Sequence, residues 1–121
     1  MIKNKKILIV GAGGFIGGHL VKKLLNDGNS IVASDIKPKE YWFQDLEEVE
    51  NHYAMDMKDI SNCRKVTKGV DYVFNMACNM GGMGFIENNK AECMQSVLIN
   101  TNLLIACKED KVKRYFFSSS A

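Results

Sequence analysis

The feature that most constrains this chain is a glycine-rich turn, Gly11-Ala-Gly-Gly-Phe-Ile-Gly17, which joins two stretches of different periodicity. Before the turn, Lys6–Val10 is a short apolar run rich in β-branched residues, which is typical of a buried strand. After it, apolar residues recur at helical spacing from Gly14 to Asp27, and Gly28 predicts the end of that helix. A strand, a glycine turn and a helix in this order predict the first unit of a parallel α/β sheet.

Four further strands are predicted along the chain. We expect them at Ser30–Ser34, around His52–Met55, at Asp71–Met76 and at Val112–Phe117. The segment from Ile36 to Asn51 is polar and acidic, and we interpret it as a loop that includes at most one short helix. Because parallel strands need crossover connections, the pattern predicts a Rossmann-type doubly wound parallel sheet of about five strands. We expect one domain over residues 1–121.

Two more helices complete the pattern. Asp59 is a candidate N-cap for a short helix that ends at Gly69, and a long helix is expected from about Phe85 or Asn88 to Glu109. The apolar residues of the long helix cover more than one face, so it has surface to pack on the sheet and on a second partner. We therefore expect a homo-oligomer formed through the helix at 88–109.

Composition excludes several classes of partner. The chain is 46% hydrophobic and 25% charged, and its net charge of +2 is too small to make nucleic acid or an anionic membrane the expected partner. No apolar run approaches the ~20 residues needed to span a bilayer, and Ile7–Val10 is too short for a signal peptide. We expect a cytoplasmic protein with reduced thiols, and no metal site, because the four cysteines form no Cys-x-x-Cys pair.

Polar and backbone-permissive residues follow each predicted strand. They are Gly11–Gly14, Asp35, Asp56, Asn75–Gly84 and Ser118–Ser120. The carboxyl ends of parallel strands meet at one edge of a sheet, and ligands of open α/β sheets bind beyond that edge. The sequence therefore predicts a binding site there.

The glycine turn itself predicts what binds. Gly11 permits a tight turn, Gly14 lets the backbone approach a pyrophosphate, and Gly17 allows the helix and strand to pack closely. The helix N-terminus adds free N–H groups and a partial positive charge. An acid 18 residues beyond Gly17 completes the dinucleotide fingerprint, so we expect NAD. The alternative is a structural turn or a degenerate site.

Two carboxylates are expected at the adenosine end. Asp35 would accept hydrogen bonds from the ribose hydroxyls and repel a 2′-phosphate, which favours NAD over NADP, although Lys37 and Lys39 lie close enough to weaken that preference. Asp56, with Met57 behind it, would lie at the adenine edge. For both carboxylates, a turn residue that ends a strand is the alternative interpretation.

These motifs carry a family resemblance. Gly-x-x-Gly-x-x-Gly at 11–17, Asp35, Asp56, Asn75-Met-Ala77 and Ser118-Ser-Ser-Ala121 resemble the extended short-chain dehydrogenase/reductases, the NAD-dependent epimerases and dehydratases of nucleotide sugars. Within that family, the stretch from Lys65 to Asp71 and above all the loop Met80-Gly-Gly-Met-Gly-Phe-Ile86 are similar to the GDP-mannose 3,5-epimerase subfamily. Immediately before Met80, Cys78 and Asn79 stand where that subfamily has alanine and aspartate.

The resemblance implies two sets of site residues. The cofactor set is Gly11, Gly14, Phe15, Ile16 and Gly17 at the pyrophosphate, Asp35 at the ribose, Asp56 and Met57 at the adenine, and Met76 and Ala77 beneath the cofactor. The substrate set, for a nucleotide sugar and most closely a GDP-hexose, is Gly81, Gly82, Met83, Ser119 and Ser120. Ser120 corresponds to the catalytic serine that hydrogen-bonds the sugar hydroxyl being oxidised.

The residues of the glycine- and methionine-rich loop support this reading independently. Gly81, Gly82 and Gly84 leave out side chains where a bulky sugar would approach, and Met83 offers adaptable apolar contact. A flexible surface loop is the alternative.

One family feature is missing from these 121 residues. The resemblance implies a catalytic Tyr-x-x-x-Lys pair, but no tyrosine of this chain lies four residues before a lysine. Ser120 alone has no base beside it to deprotonate a sugar hydroxyl. We therefore expect the NAD-binding, N-terminal portion of a nucleotide-sugar epimerase, inactive by itself, which would contribute to transient oxidation, inversion and re-reduction. The alternatives are a non-catalytic NAD-binding module, which would have no use for Ser118–Ser120, and a nucleotide-sugar 4,6-dehydratase relative.

Overall fold

The structure, a computed structural model, describes residues 2–42, 49–52, 55–77 and 90–117. These residues contain a five-stranded sheet in which every neighbouring pair is parallel, in the order β3-β2-β1-β4-β5. The strands are β1 Lys6–Val10, β2 Ser30–Ser34, β3 Glu50–His52, β4 Tyr72–Asn75 and β5 Arg114–Phe117. The chain builds outward from β1 in one direction and then returns to build in the other, which is the strand order of Rossmann folds. The predicted fold class is confirmed.

Helices cover both faces of the sheet. They are α1 Phe15–Asn26, α2 Ile60–Thr67 and α3 Lys90–Glu109, with a short 3-10 turn at Lys39–Tyr41. Side chains of β1 alternate between the two faces, as the period of two requires. Ile7 and Ile9 pack with α1 on one face, whereas Leu8 and Val10 pack with α2 and α3 on the other. Each face therefore has its own apolar core.

The helix ends follow the predicted signals. Asp59 caps α2, because its carboxylate accepts hydrogen bonds from the amide and the hydroxyl of Ser61, and these bonds lower the pKa of the Asp59 carboxyl. Gly28 follows α1 with φ +94° and donates its N–H to the Leu25 carbonyl. Gly69 follows α2 with φ +71°. Both glycines therefore end a helix with the backbone conformation that glycine favours.

The third strand was predicted with the wrong bounds. We expected it around His52–Met55, but it runs over Glu50–His52, so its first two residues lie in the segment Ile36–Asn51 that was predicted as loop. Its position is set by pairing with β2, since Val32 lies opposite Glu50 and Ser34 lies opposite His52. At Met55 the chain lies beside the end of β2, where the Met55 N–H donates to the Asp35 carbonyl at 3.0 Å.

The long helix has two apolar faces, as predicted. The face with Leu103 and Ala106 is buried against the sheet. The opposite stripe is exposed and consists of Met94, Val97, Leu98, Leu104 and Ile105. The expected helix start at Phe85 or Asn88 lies outside the described residues. In the described part of the chain, no helix is long and apolar enough to cross a membrane.

Candidate functional site

A cleft of about 460 Å³ opens at the carboxyl edge of the sheet. Its volume lies within the ~300–1,000 Å³ that is usual for small-molecule sites. Seven of the predicted cofactor residues line it: Gly11, Gly14, Asp35, Asp56, Met57, Met76 and Ala77. The other lining residues are Val10, Ile36, Lys37, Met55, Lys58 and Ile99. Residues that are distant in sequence thus meet in one concave surface.

Gly11 forms the floor of the glycine turn. Its φ of +85° lies in the left-handed region, and a Cβ at this position would lie 2.8 Å from the backbone carbon of Met76. The amides of Gly11 and Ala12 both donate to the Ser34 carbonyl, at 2.8 and 3.1 Å. The turn is therefore fastened to β2 and crosses the end of β4 at a separation that only glycine permits.

Gly17 and Gly14 are glycine for different reasons. A Cβ on Gly17 would overlap the Gly11 carbonyl, so Gly17 is buried beneath the turn and lets α1 pack against it. Gly14 has φ −83° and ψ 174°, which any residue adopts, and its Cβ would meet nothing closer than the Gly11 oxygen at 3.6 Å. Since Gly14 lines the cleft, its missing side chain leaves space for a ligand.

Gly14 is also the N-cap residue of α1. It makes no side-chain hydrogen bond to this end of the helix, and the first turn contains no acidic residue. The first amides of a helix lack intrahelical acceptors and carry a partial positive charge, which favours an anion. The side chains of Phe15 and Ile16 are exposed and do not line the cleft. Contact between these two residues and a ligand in the cleft would be through their backbone.

Asp35 is held rigidly at the end of β2. It is buried, its Oδ2 accepts the Gly13 N–H at 2.9 Å, and its Oδ1 accepts the Lys37 N–H at 2.9 Å. Each carboxylate oxygen offers about two acceptor positions, so both retain capacity for a ligand hydroxyl. The side chain that lines the cleft is thus also part of the structure of the glycine turn.

The wall after β3 combines a charged rim with an apolar base. Asp56 accepts the Lys58 N–H at 2.9 Å, and the Lys58 Nζ lies 3.7 Å from its Oδ2. Met57 is buried, and the Cys63 thiol donates to its carbonyl at 3.3 Å. Burial raises the pKa of Cys63 to about 11, so this thiol is neutral and behaves as a small apolar group.

Two asparagines fix the main chain around the cleft. The buried Asn102 of α3 donates to the carbonyls of Met57 and Lys58 at 3.1 and 3.0 Å. Asn75 accepts the Ala77 N–H at 3.1 Å and donates to the Tyr115 hydroxyl at 2.9 Å. Each amide therefore ties one wall of the cleft to a neighbouring element.

Sequence reasoning missed several of these residues. Ile99 lines the cleft from α3, Asn102 holds its wall, and Trp42 lies against Gly13 of the glycine turn. The helical spacing of Ile99 with Leu103 marks it as inward-facing, but nothing in the sequence specifies which loop it meets. The predicted substrate set and catalytic Ser120 lie outside the described residues, namely Gly81, Gly82, Met83, Ser119 and Ser120.

Several known proteins are similar to this chain in sequence and in fold. GDP-mannose 3,5-epimerase from Arabidopsis thaliana is 43% identical over 120 residues, which cover 98% of this chain and 32% of the relative. UDP-N-acetylglucosamine 4-epimerase from Methanobrevibacter ruminantium M1, solved with UDP-N-acetylmuramic acid, aligns with TM-score 0.79 and 27% identity over 99% of this chain and 39% of that structure. MoeE5, solved with UDP-glucose and NAD, aligns with TM-score 0.77 and 29% identity over 96% and 36%.

The chain thus spans about a third of the length of these proteins. Over that part, the sequence profile of the NAD dependent epimerase/dehydratase family matches residues 7–121, which include Ile7–Val10 of β1, the glycine turn and every lining residue of the cleft. The chain therefore belongs to the NAD dependent epimerase/dehydratase family.

Proposed function

We propose that this chain binds NAD in the cleft at the carboxyl edge of the sheet and is the NAD-binding portion of a nucleotide-sugar epimerase. The observation that carries the proposal is Gly14: neither its backbone conformation nor its neighbours require glycine, yet it lines the cleft at the N-terminus of α1. An anionic group that approaches the backbone closely explains both features. The relative MoeE5 was solved with NAD, which supports this choice of ligand.

The lining residues can be assigned to successive parts of a bound dinucleotide. Gly11 and Gly14 would receive the pyrophosphate, together with the backbone of Phe15 and Ile16. Met76 and Ala77 would lie beneath the cofactor. NAD, when bound, supplies the redox chemistry, because it accepts a hydride from a sugar carbon and returns it. The task of this part of the chain is to bind and orient the cofactor.

The adenosine half would occupy the other end of the cleft. Asp35 would accept hydrogen bonds from the ribose hydroxyls, and the buried Met57 and the side chain of Ile99 would contact the adenine, with Asp56 at its edge. Because the Asp35 carboxylate would repel a 2′-phosphate, NAD is preferred to NADP. Lys37 and Lys58 also line the cleft and reduce this preference without reversing it, since neither is fixed against the ribose position as Asp35 is.

Calorimetric titration tests the proposal directly. We expect the chain to bind NAD at least tenfold more tightly than NADP, and Asp35→Ala to weaken NAD binding by about tenfold or more, as for a hydrogen bond to a charged group. Glu109→Ala is the matched control, because it also removes a carboxylate, but an exposed one that pairs with Arg64 and is not among the residues lining the cleft. Undetectable NAD binding by a folded chain would refute the proposal.

The substrate is proposed from the relatives. The similarity to GDP-mannose 3,5-epimerase supports a GDP-hexose, with Gly81, Gly82, Met83, Ser119 and Ser120 at the sugar. Saturation-transfer NMR of the NAD-loaded chain with GDP-mannose, and with UDP-glucose as the control, would show signal transfer to GDP-mannose alone. Since these 121 residues contain no Tyr-x-x-x-Lys pair, conversion of the sugar is proposed only for a protein that joins this chain to such a pair.

Self-association is the remaining part of the proposal. The exposed stripe of α3, at Met94, Val97, Leu98, Leu104 and Ile105, is apolar along several turns and supports pairing with a second copy of the chain. Sedimentation velocity would show a dimer that Leu98→Glu converts to a monomer. A monomeric wild-type chain at high concentration would contradict this assignment.

A further inference from the structure

Trp42 is the single tryptophan of the chain and it lies against the glycine turn. A Cβ built on Gly13 would lie 2.7 Å from Trp42 Cδ1 and 2.9 Å from Cγ, so the indole occupies the space beside the Gly13 backbone. The indole Nε1 donates to the Lys37 carbonyl at 2.9 Å. Trp42 also packs against the apolar cluster beneath α1, which includes Ala12 of the turn.

Trp42 and Gly13 both lie away from the cleft surface. Gly11 and Gly14 line the cleft, whereas neither Gly13 between them nor Trp42 is among its lining residues. A ligand in the cleft therefore meets the turn on one side, and the indole supports the turn on another. An influence of Trp42 on that ligand would pass through the turn.

Three hydrogen bonds and one packing contact connect these residues in a closed ring. The Asp35 carboxylate accepts the amides of Gly13 and Lys37, and the Lys37 carbonyl accepts the Trp42 indole, whose ring returns to contact Gly13. The segment after β2 is thus folded back over the turn. We call Gly13, Asp35, Lys37 and Trp42 the turn brace.

We propose that Trp42 is a positioning residue, which through the turn brace holds the glycine turn in the conformation that accepts a pyrophosphate. The proposal rests on the NAD-binding function proposed above. A turn that contains glycine at 11, 13 and 14 has much backbone freedom, and binding would have to remove that freedom at a cost in affinity. The brace removes it in advance, so the ligand meets a preformed site.

The test compares three variants of this chain. Trp42→Ala removes the ring beside Gly13 and the hydrogen bond to the Lys37 carbonyl, and Trp42→Phe keeps a ring beside Gly13 but loses the indole N–H. Leu25→Ala is the matched control, because Leu25 packs against the same apolar cluster from the C-terminal end of α1, away from the turn. We expect Trp42→Ala to weaken NAD and ADP binding by about five- to tenfold, Trp42→Phe to retain part of the affinity, and Leu25→Ala to retain all of it.

Adenosine separates positioning of the turn from general damage to the site. It has no phosphate, so Trp42→Ala should change its affinity less than twofold. An equal loss for adenosine and ADP would overturn the proposal, as would an equal loss in the Leu25→Ala control or unchanged NAD affinity in Trp42→Ala. If Trp42→Ala does not fold, the same comparisons with Trp42→Phe decide the question.

Hydrogen exchange of the Gly13 amide tests the brace without any ligand. This amide donates to Asp35, and its exchange should accelerate about five- to tenfold in Trp42→Ala but not in Leu25→Ala. Unchanged exchange would overturn the brace even where NAD binds. If the wild-type chain binds neither NAD nor ADP, the cofactor proposal fails, while accelerated exchange still supports the brace. The two failures are therefore distinguishable.

Discussion

Replacement of Gly14 by alanine is the sharpest test of how the cleft is built. The φ of −83° suits alanine, and the new Cβ would meet no protein atom closer than 3.6 Å. Alanine is a poorer N-cap than glycine by roughly 0.5 kcal/mol, but it restricts the unfolded chain by about 0.4–1 kcal/mol. These two effects nearly cancel, so we expect the free energy of unfolding to stay within about 1 kcal/mol of wild type.

The same substitution should be costly for the ligand. Gly14 lines the cleft, and a methyl group inserted into a close contact costs roughly 1–3 kcal/mol. Since each 1.4 kcal/mol is a factor of ten in affinity, NAD binding should weaken by about tenfold or more. Urea unfolding followed by circular dichroism gives the stability, and calorimetric titration gives the affinity.

Two other glycines serve as controls with different expected outcomes. Gly17→Ala places a Cβ on the Gly11 carbonyl, which costs about 3 kcal/mol against a gain of about 1 kcal/mol in helix propensity, so a net loss of about 2 kcal/mol is expected. Gly28→Ala, at φ +94° and with no atom within 4 Å, should lose about 1 kcal/mol and keep its NAD affinity. Wild-type NAD affinity in Gly14→Ala would refute the argument that this position is kept open for a ligand.

Further outcomes follow from the buried polar groups and thiols. Asn102→Ala leaves the Lys58 carbonyl without its amide donor, so urea unfolding should show a loss of about 1–3 kcal/mol, and a smaller effect than 0.5 kcal/mol would contradict that role. Burial raises the pKa of Cys63 to about 11 and that of Cys107 to about 12, above the ordinary value of 9.0. The unfolded chain therefore loses these thiol protons first, so the stabilisation is complete below about pH 9 and is lost as pH rises through 11 to 12. Urea midpoints should fall over that range, and Cys63→Ala should fall less steeply; equal slopes would show that other groups cause the fall.

β1 and β2 could be predicted to the residue because local residues set their limits, whereas β4 was predicted one residue too long at each end. β1 ends where Gly11 turns, and β2 begins after Gly28 and ends before Asp35. β3 at Glu50–His52 is different, because it is short and polar and lies at the edge of the described sheet. Such a strand has no alternation of apolar and polar residues that would distinguish it from a loop. Its position depends on pairing with β2, which is tertiary information.

The site residues that could be predicted are those that the strand topology brings to one edge of the sheet. Asp35, Asp56 and Ala77 follow strands, so parallel pairing alone brings them to one edge. Ile99 and Trp42 reach the site from a helix face and from a segment without periodicity. Their contribution depends on the packing of α3 and on the path after β2, and no local pattern encodes either.

The glycine turn shows that a motif predicts where glycines occur better than it predicts why each of them is needed. Gly11 is required by a positive φ, Gly17 by contact with the Gly11 carbonyl, and Gly14 by neither. Gly13 lies outside the Gly-x-x-Gly-x-x-Gly spacing, yet a Cβ there would meet both the Trp42 ring and Asp35 Oδ2, at 2.7 and 2.9 Å. Glycine is therefore required at position 13 by a feature of this particular chain, because the Trp42 side chain takes up the space that a larger residue at 13 would need. A rule about the spacing of glycines within one turn cannot predict this requirement, because Gly13 and Trp42 come from two different loops.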